Sequence, residues 1–175
     1  MDGVATAPGA GTVLNALATG RGSAFAINVE TEATVTLAAN AETVTGEIAG
    51  EPDADTRLIE RCVERVVERF GEDEGGTVAT DSEVPMAAGL KSSSAAANAT
   101  VLATLDALGV EVVDSDDEAD TEAITRTGAC RIGVGAARDV GVTITGAFDD
   151  AAASMFGGVV VTDNTEDTLL AREKR

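Results

Sequence analysis

The chain is 175 residues long, the size of one ordinary domain or of one domain with the start of a second. Twelve Lys and Arg stand against 31 Asp and Glu, a net charge of −19, and such a field opposes the phosphate backbone of nucleic acid. There is no His, which excludes an imidazole base, a Ser-His-Asp triad and a His-based metal site.

Hydrophobic residues make up 44% of the chain, but with four Phe and no Tyr or Trp the core must rest on Ala, Val, Leu and Ile. In chain order, residues 4–7 are predicted as a short strand that stops at Pro8-Gly9. Residues 23–28 and 33–37 form two more strands, and residues 43–48 return after a turn at Asn40 as a hairpin partner. A helix over about 55–70 follows from the spacing of Leu58, Ile59, Cys62, Val63, Val66, Val67 and Phe70, with Asp53 or Asp55 as its cap and Gly71 at its end. Gly75-Gly76 opens a strand over 77–82, and an Ala-rich helix over 92–108 ends at Gly109. Residues 114–120 read as an acidic, solvated stretch, 118–127 and 130–140 as helices separated by Gly128, 142–145 as a strand, 149–156 as a helix and 159–162 as a last strand. The order implies a mixed α/β or α+β architecture.

Only Lys91 and Lys174 are lysines. A carboxylate-rich, Lys-poor surface fits a protein adapted to high salt, where screening weakens self-repulsion; the alternative is an acidic protein that avoids anionic partners. Cys62 and Cys130 form no CxxC pair and are expected as buried, reduced thiols. Asp2 and Gly3 stand where a secretory signal would be basic, and no apolar run approaches the roughly 18 residues of a membrane span. The expectation is a cytosolic protein with no membrane partner.

The stretch Pro85-Met86-Ala87-Ala88-Gly89-Leu90-Lys91-Ser92-Ser93-Ser94-Ala95 carries the chemistry. A strand ends, a Gly-containing loop turns and a helix begins with three hydroxyls. The free N–H groups and dipole of such a start favour an anion, to which Lys91 adds a cation. The reading is a phosphate cradle; its alternative is a Ser-capped helix. It is not a Walker loop, because Leu90 stands where Gly must precede the lysine.

The string resembles the nucleotide-binding motif of the GHMP kinases: Pro, three residues, Gly-Leu, one residue, Ser-Ser, one residue, Ala. The match falls on Pro85, Gly89, Leu90, Ser92, Ser93 and Ala95. Residues 82–99, 11–16 with 19–25, and 145–150 are similar in particular to the archaeal-type shikimate kinase branch. The resemblance implies a ribosomal-protein-S5-like α/β domain, residues 1–158, and the start of a ferredoxin-like domain at 159–175. It also implies ATP and Mg²⁺ as cofactors and shikimate as the small-molecule substrate, phosphorylated at its 3-hydroxyl in aromatic amino-acid biosynthesis. Pro85, Ala88, Gly89, Leu90, Lys91, Ser92, Ser93, Ser94 and Ala95 would surround the nucleotide phosphates, with Ser93 or a neighbouring Ser on Mg²⁺.

In several of these kinases a catalytic Asp stands seven residues before a Gly pair, a spacing that falls here on Asp150, with Asp149 as second choice. The alternative is an Asp pair that caps a helix. A metal-binding acid about eleven residues earlier would be Asp139. For a carboxylate substrate, Arg21 is the fork-shaped donor, and Asn15 and Ser23 are hydroxyl partners; Arg21 reads equally as a surface charge in a turn. Another small-molecule GHMP kinase, for homoserine or mevalonate, and a non-catalytic nucleotide-binding protein of the same fold remain as rivals. No Gly follows Gly158, so the third, Gly-rich motif of the family is missing. The expectation is a chain cut short, with little or no activity by itself and uncovered apolar surface at Met155, Phe156 and 159–161; the alternative is a compact 175-residue variant with its own closed core.

Overall fold

The computed structural model describes residues 1–84, 89–114, 123–143 and 147–174. The spine of the fold is β2 (Arg21–Ala38), which pairs antiparallel along one edge with β1 (Asp2–Leu14). Its other edge is shared: β4 (Gly75–Ser82) pairs with its second half and β7 (Val159–Asp163) with its first, both antiparallel. Beyond β4 lies β3 (Val44–Ile48), parallel to it, and beyond β7 lies β8 (Thr168–Glu173), antiparallel. Together these make a six-stranded sheet among the described residues. A small parallel pair joins β5 (Glu111–Val113) to β6 (Ala123–Thr125).

Among the described residues four helices pack on the sheet: α1 (Arg57–Phe70), α2 (Ser92–Ala107), α3 (Arg126–Asp139) and α4 (Phe148–Phe156). Helix α1 is amphipathic and buries Leu58, Ile59, Cys62, Val63, Val66 and Val67. Of the two candidate caps, Asp55 accepts the Arg57 backbone N–H at 3.1 Å. Helix α2 is different, because Ala97, Asn98, Ala99, Thr100, Val101 and Ala103 are buried around its whole circumference. Small residues let it run through the middle of the molecule, against β1, β2, α1, α3 and α4. Cys62 and Cys130 are both free and buried, and burial pushes the Cys62 thiol up to about 12.

Several expected elements differ. Strand β1 does not stop at Pro8-Gly9 but continues to Leu14 through a register shift between Pro8 and Ala10, the place where a residue without an N–H is tolerated in a ladder. The two strands expected over 23–37 are one strand, β2, and β3 pairs with β4 instead of returning as a hairpin. Residues 123–125 are a strand where a helix was expected, and Gly128 lies inside α3, whose start is capped by Thr125 Oγ1 accepting the Gly128 N–H at 3.1 Å. The acidic stretch 115–122 and residues 144–146, on which an expected helix and strand partly fall, lie outside the described residues.

Met155, Phe156 and Val160 are 5%, 9% and 0% exposed, against the expectation of an open patch there. Strand β8 folds back along β7, so β7 is an interior strand, and α4 is packed against β1, β2, β7, α2 and α3. Of that group Val161 is exposed, while the most open large apolar side chains among the described residues are Val13 and Leu14 at the end of β1 and Leu17 just beyond it. No helix among the described residues is long and apolar enough to cross a membrane.

Candidate active site

Two helix starts converge on one cleft. The residues that precede them, Lys91 before α2 and Ala147 before α4, both adopt left-handed backbone, φ 58° and 46°. Such a conformation costs a non-Gly residue about 1–2 kcal/mol, and it turns the chain sharply into each helix. Gly89, at φ 74°, makes the preceding turn, and among the described residues nothing lies within 4 Å of where a Cβ would stand. Leu90 is tied to the sheet, its carbonyl accepting the Ala10 N–H at 3.0 Å.

Between these starts lies a cleft of about 310 Å³, whose wall includes Thr12, Asn15, Lys91, Asp149, Asp150 and Asn164. Asp150 is 5% exposed, in the first turn of α4. Its Oδ2 lies 3.0 Å from Lys91 Nζ, and its Oδ1 accepts from Thr12 Oγ1 at 3.0 Å. Burial, with the charge of neighbouring Asp149, pushes the Asp150 carboxyl above the usual carboxylate range, and Lys91 and Thr12 pull only partly against this. A carboxylate of raised basicity, with a lysine to hold its charge, can accept a proton from a hydroxyl in the cleft. Asp149 is 4% exposed and accepts from Asn164 Nδ2 at 2.9 Å.

The Ser cluster forms the first turn of α2. Ser93 is exposed, and its hydroxyl makes no hydrogen bond among the described residues; Ser92 and Ser94 are half-buried and Ala95 buried. Pro85 and Ala88, two of the expected phosphate-loop residues, lie outside the described residues. An apolar cavity of about 180 Å³ adjoins Ser92 and Ser93, walled by Ile48, Leu58, Ile59 and Ala96. Nothing in the sequence pattern marked it, because its lining comes from five separate elements, β2, β3, α1, β4 and α2.

The expected substrate residues divide. Asn15 lines the cleft, its Oδ1 accepting the Leu17 N–H at 2.8 Å. Ser23 instead donates to the Val160 carbonyl at 2.9 Å. Arg21 is exposed and pairs in register with Asp163, on the strand face opposite to Gly22, which abuts Asp149. Neither Arg21 nor Ser23 lines the cleft. Asp139 also departs from expectation. It sits at the end of α3, where Oδ2 accepts from Arg61 Nε and Arg65 Nε, both at 2.7 Å, and Oδ1 from Arg65 Nη2 at 3.0 Å. The two guanidiniums, Arg65 foremost, hold its carboxyl well below the usual range, so its oxygens are engaged in joining α3 to α1. Lys91 as the partner of Asp150, and Asn164 as the partner of Asp149, are the contacts that sequence reasoning missed. No spacing rule links residues 59 and 15 positions apart in the chain.

The family model for the N-terminal domain of GHMP kinases matches residues 57–158. A curated shikimate kinase of Halobacterium salinarum is 65% identical over 173 residues, covering 99% of this chain and 57% of that protein. One of Methanococcoides burtonii is 54% identical, over 99% of this chain and 56% of its own length. The chain thus spans a little over half the length of the curated relatives it matches. Among solved structures, homoserine kinase from Cytophaga hutchinsonii superposes with a TM-score of 0.73 at 17% identity, over 99% of this chain and 51% of that one. Mevalonate kinase of Methanococcus jannaschii gives 0.68 at 10% identity, over 98% and 56%. With the family model over more than half its length and the shared fold along nearly all of it, the chain belongs to the GHMP kinases.

Proposed function

We propose that the protein carrying this chain is a shikimate kinase, transferring the γ-phosphate of ATP to the 3-hydroxyl of shikimate, a step of aromatic amino-acid biosynthesis. The observation that carries the chemistry is the buried Asp150, held by Lys91 and Thr12 in a cleft that opens beside the start of α2. The names of the curated relatives supply the substrate. The N–H groups and hydroxyls at Ser92–Ser94 receive the phosphates, and the apolar cavity next to them takes the base.

Among the described residues no group of three or more carboxylates or thiols could hold a metal. Mg²⁺ suits this donor set nonetheless, since it keeps waters and takes nucleotide oxygens with one or two protein ligands, here the exposed Ser93 hydroxyl. When bound, it neutralises charge on the β- and γ-oxygens. Asp150 orients the attacking hydroxyl and takes its proton, and Lys91 limits the charge that then gathers in the cleft. Asn15 hydrogen-bonds a further hydroxyl of the substrate.

The test is a coupled assay on the whole protein that contains this chain, at molar KCl, offering shikimate, homoserine and mevalonate in parallel. Turnover is expected with shikimate. Turnover with one of the other two and none with shikimate would sink the substrate assignment and leave the kinase chemistry. Ser93→Ala is expected to raise the KM for Mg·ATP, and an unchanged KM would remove Ser93 from the metal.

A further inference from the structure

Two buried carboxylates stand side by side at the start of α4, yet one lysine reaches them, and it pairs with Asp150. No Lys or Arg among the described residues pairs with Asp149; its partner is the Asn164 amide, from the turn between β7 and β8. A carboxylate only accepts, so the Asn164 NH₂ faces Asp149 and its carbonyl faces away. That carbonyl accepts from Thr162 Oγ1 at 2.7 Å, and Thr162 is fully buried in β7. The Asn164 backbone N–H donates to the Gly20 carbonyl at 2.7 Å, which ties the turn to the start of β2. On the other side of Asp149 the packing is tight, because a Cβ at Gly22 would lie 2.5 Å from its Oδ2 and 2.7 Å from its Cγ. Asp149 is therefore pinned between the backbone of β2 and one amide.

We propose that Asn164, oriented by Thr162, is a positioning residue of this cleft, which holds Asp149 through a neutral donor and so leaves Lys91 to Asp150. A freed Asp149 would compete for the lysine; an amide prevents this without bringing a second cation to weaken Asp150 as a base. The inference rests on the phosphoryl-transfer reading above.

The experiment measures steady-state turnover of shikimate and ATP by the whole protein and by Asn164→Ala, Asn164→Asp and Thr162→Val, with folding of each followed by its melting temperature. Asn164→Ala is expected to lower kcat about tenfold or more, the usual cost of losing a hydrogen bond to a charged group, with the KM for ATP unchanged. Thr162→Val, which keeps the shape and removes the O–H, is expected to lower kcat in the same direction by less. Asn164→Asp is isosteric, and its carboxyl donates to Asp149 only when protonated. Its kcat relative to wild type is therefore expected to recover by about tenfold from about pH 8 to about pH 5.5. A ratio flat with pH, or an Asn164→Ala protein with wild-type kcat, would overturn the proposal. Should Asn164→Ala fail to fold, the pH ratio of the isosteric variant decides. Asp150→Asn and wild type are run alongside. Active wild type, inactive Asp150→Asn and a flat Asn164→Asp ratio reject the positioning role alone, whereas a wild type without phosphorylated product rejects the kinase reading and the role with it.

Discussion

Lys91 Nζ lies 3.0 Å from Asp150 Oδ2, so the residue that precedes α2 neutralises the first turn of α4. The pair is asymmetric, since the Asp150 side chain is 8% exposed while that of the lysine is 32% exposed. Desolvation therefore falls on the carboxylate. Because burial and Asp149 raise its pKa, the folded protein holds the Asp150 proton more tightly than the unfolded chain does. The stability from this group is fully present below its unfolded value near 3.8 and is lost as pH rises through the higher folded value. At neutral pH the ionised Asp150 is a cost to stability, one that the proposed proton transfer would explain.

Asp150→Asn is accordingly expected to do two opposite things. Phosphoryl transfer falls by about 10²–10⁴-fold, the usual contribution of a positioned base, with little change in the KM for ATP. The melting temperature at pH 7 rises, by roughly 2–4 °C for each kcal/mol recovered in a chain of this size, and the gain shrinks toward pH 4. Differential scanning calorimetry across this range checks it. A lower melting temperature at pH 7 with the same loss of turnover would mean that the Lys91 pair outweighs the burial of Asp150.

How far the residues themselves foretold this arrangement depends on range. Helix α1 was legible because its apolar residues recur on one face, and the period alone encodes that. The Ser-rich start of α2 was legible because donor-rich helix starts are local. Strand pairing was not: β3 beside β4, and β2 running unbroken past Asn28, depend on partners tens of residues away that no short window contains. Pro8-Gly9 reads locally as a stop and sits in a strand because the ladder shifts there. Asp150 could be singled out by its distance from Gly157-Gly158, but its lysine could not, nor could Asn164, one more polar residue in a turn. Asp139 misled for the same reason: its spacing pointed to a metal, whereas Arg61 and Arg65 from α1 engage it in space.

The acidic surface has a measurable consequence. Glu32 and Asp81 face each other in register across β2 and β4, and Glu30 and Glu83 share the same surface hollow with them. Like charges directly opposite on adjacent strands destabilise a sheet. With a net charge of −19 on the chain, salt that shortens the screening length from about 10 Å at 0.1 M to about 3 Å at 1 M stabilises the fold. The melting temperature is expected to rise from 0.1 M to 2 M KCl, and Asp81→Asn is expected to reduce that rise by increasing stability mainly at low salt. Chloride is the anion to use, because sulfate strengthens burial in any protein. A melting temperature independent of KCl would contradict adaptation to salt.

Asp139 separates a structural role from a metal-binding one. Its carboxylate takes three hydrogen bonds from Arg61 and Arg65, and Arg61 Nη1 extends the network to Glu64 and Glu68 on α1. Gly135 makes room for it, since a Cβ there would lie 2.7 Å from Arg65 Nη1. The pKa of Asp139 is depressed by these guanidiniums, so its contribution to stability is present above its unfolded value near 3.8 and is lost as pH falls below that toward the folded value. One-third exposure of its side chain limits that contribution through solvent screening, to about 1 kcal/mol or less. Asp139→Asn is therefore expected to lower stability slightly at pH 7, with the difference vanishing in strong acid, and to leave the KM for Mg·ATP at its wild-type value. Urea unfolding at pH 7 and pH 3, together with a Mg²⁺ titration of kinase activity, checks both parts. A several-fold rise in the Mg²⁺ requirement, with stability unchanged, would return Asp139 to the metal and show that the arginine clamp opens when nucleotide binds.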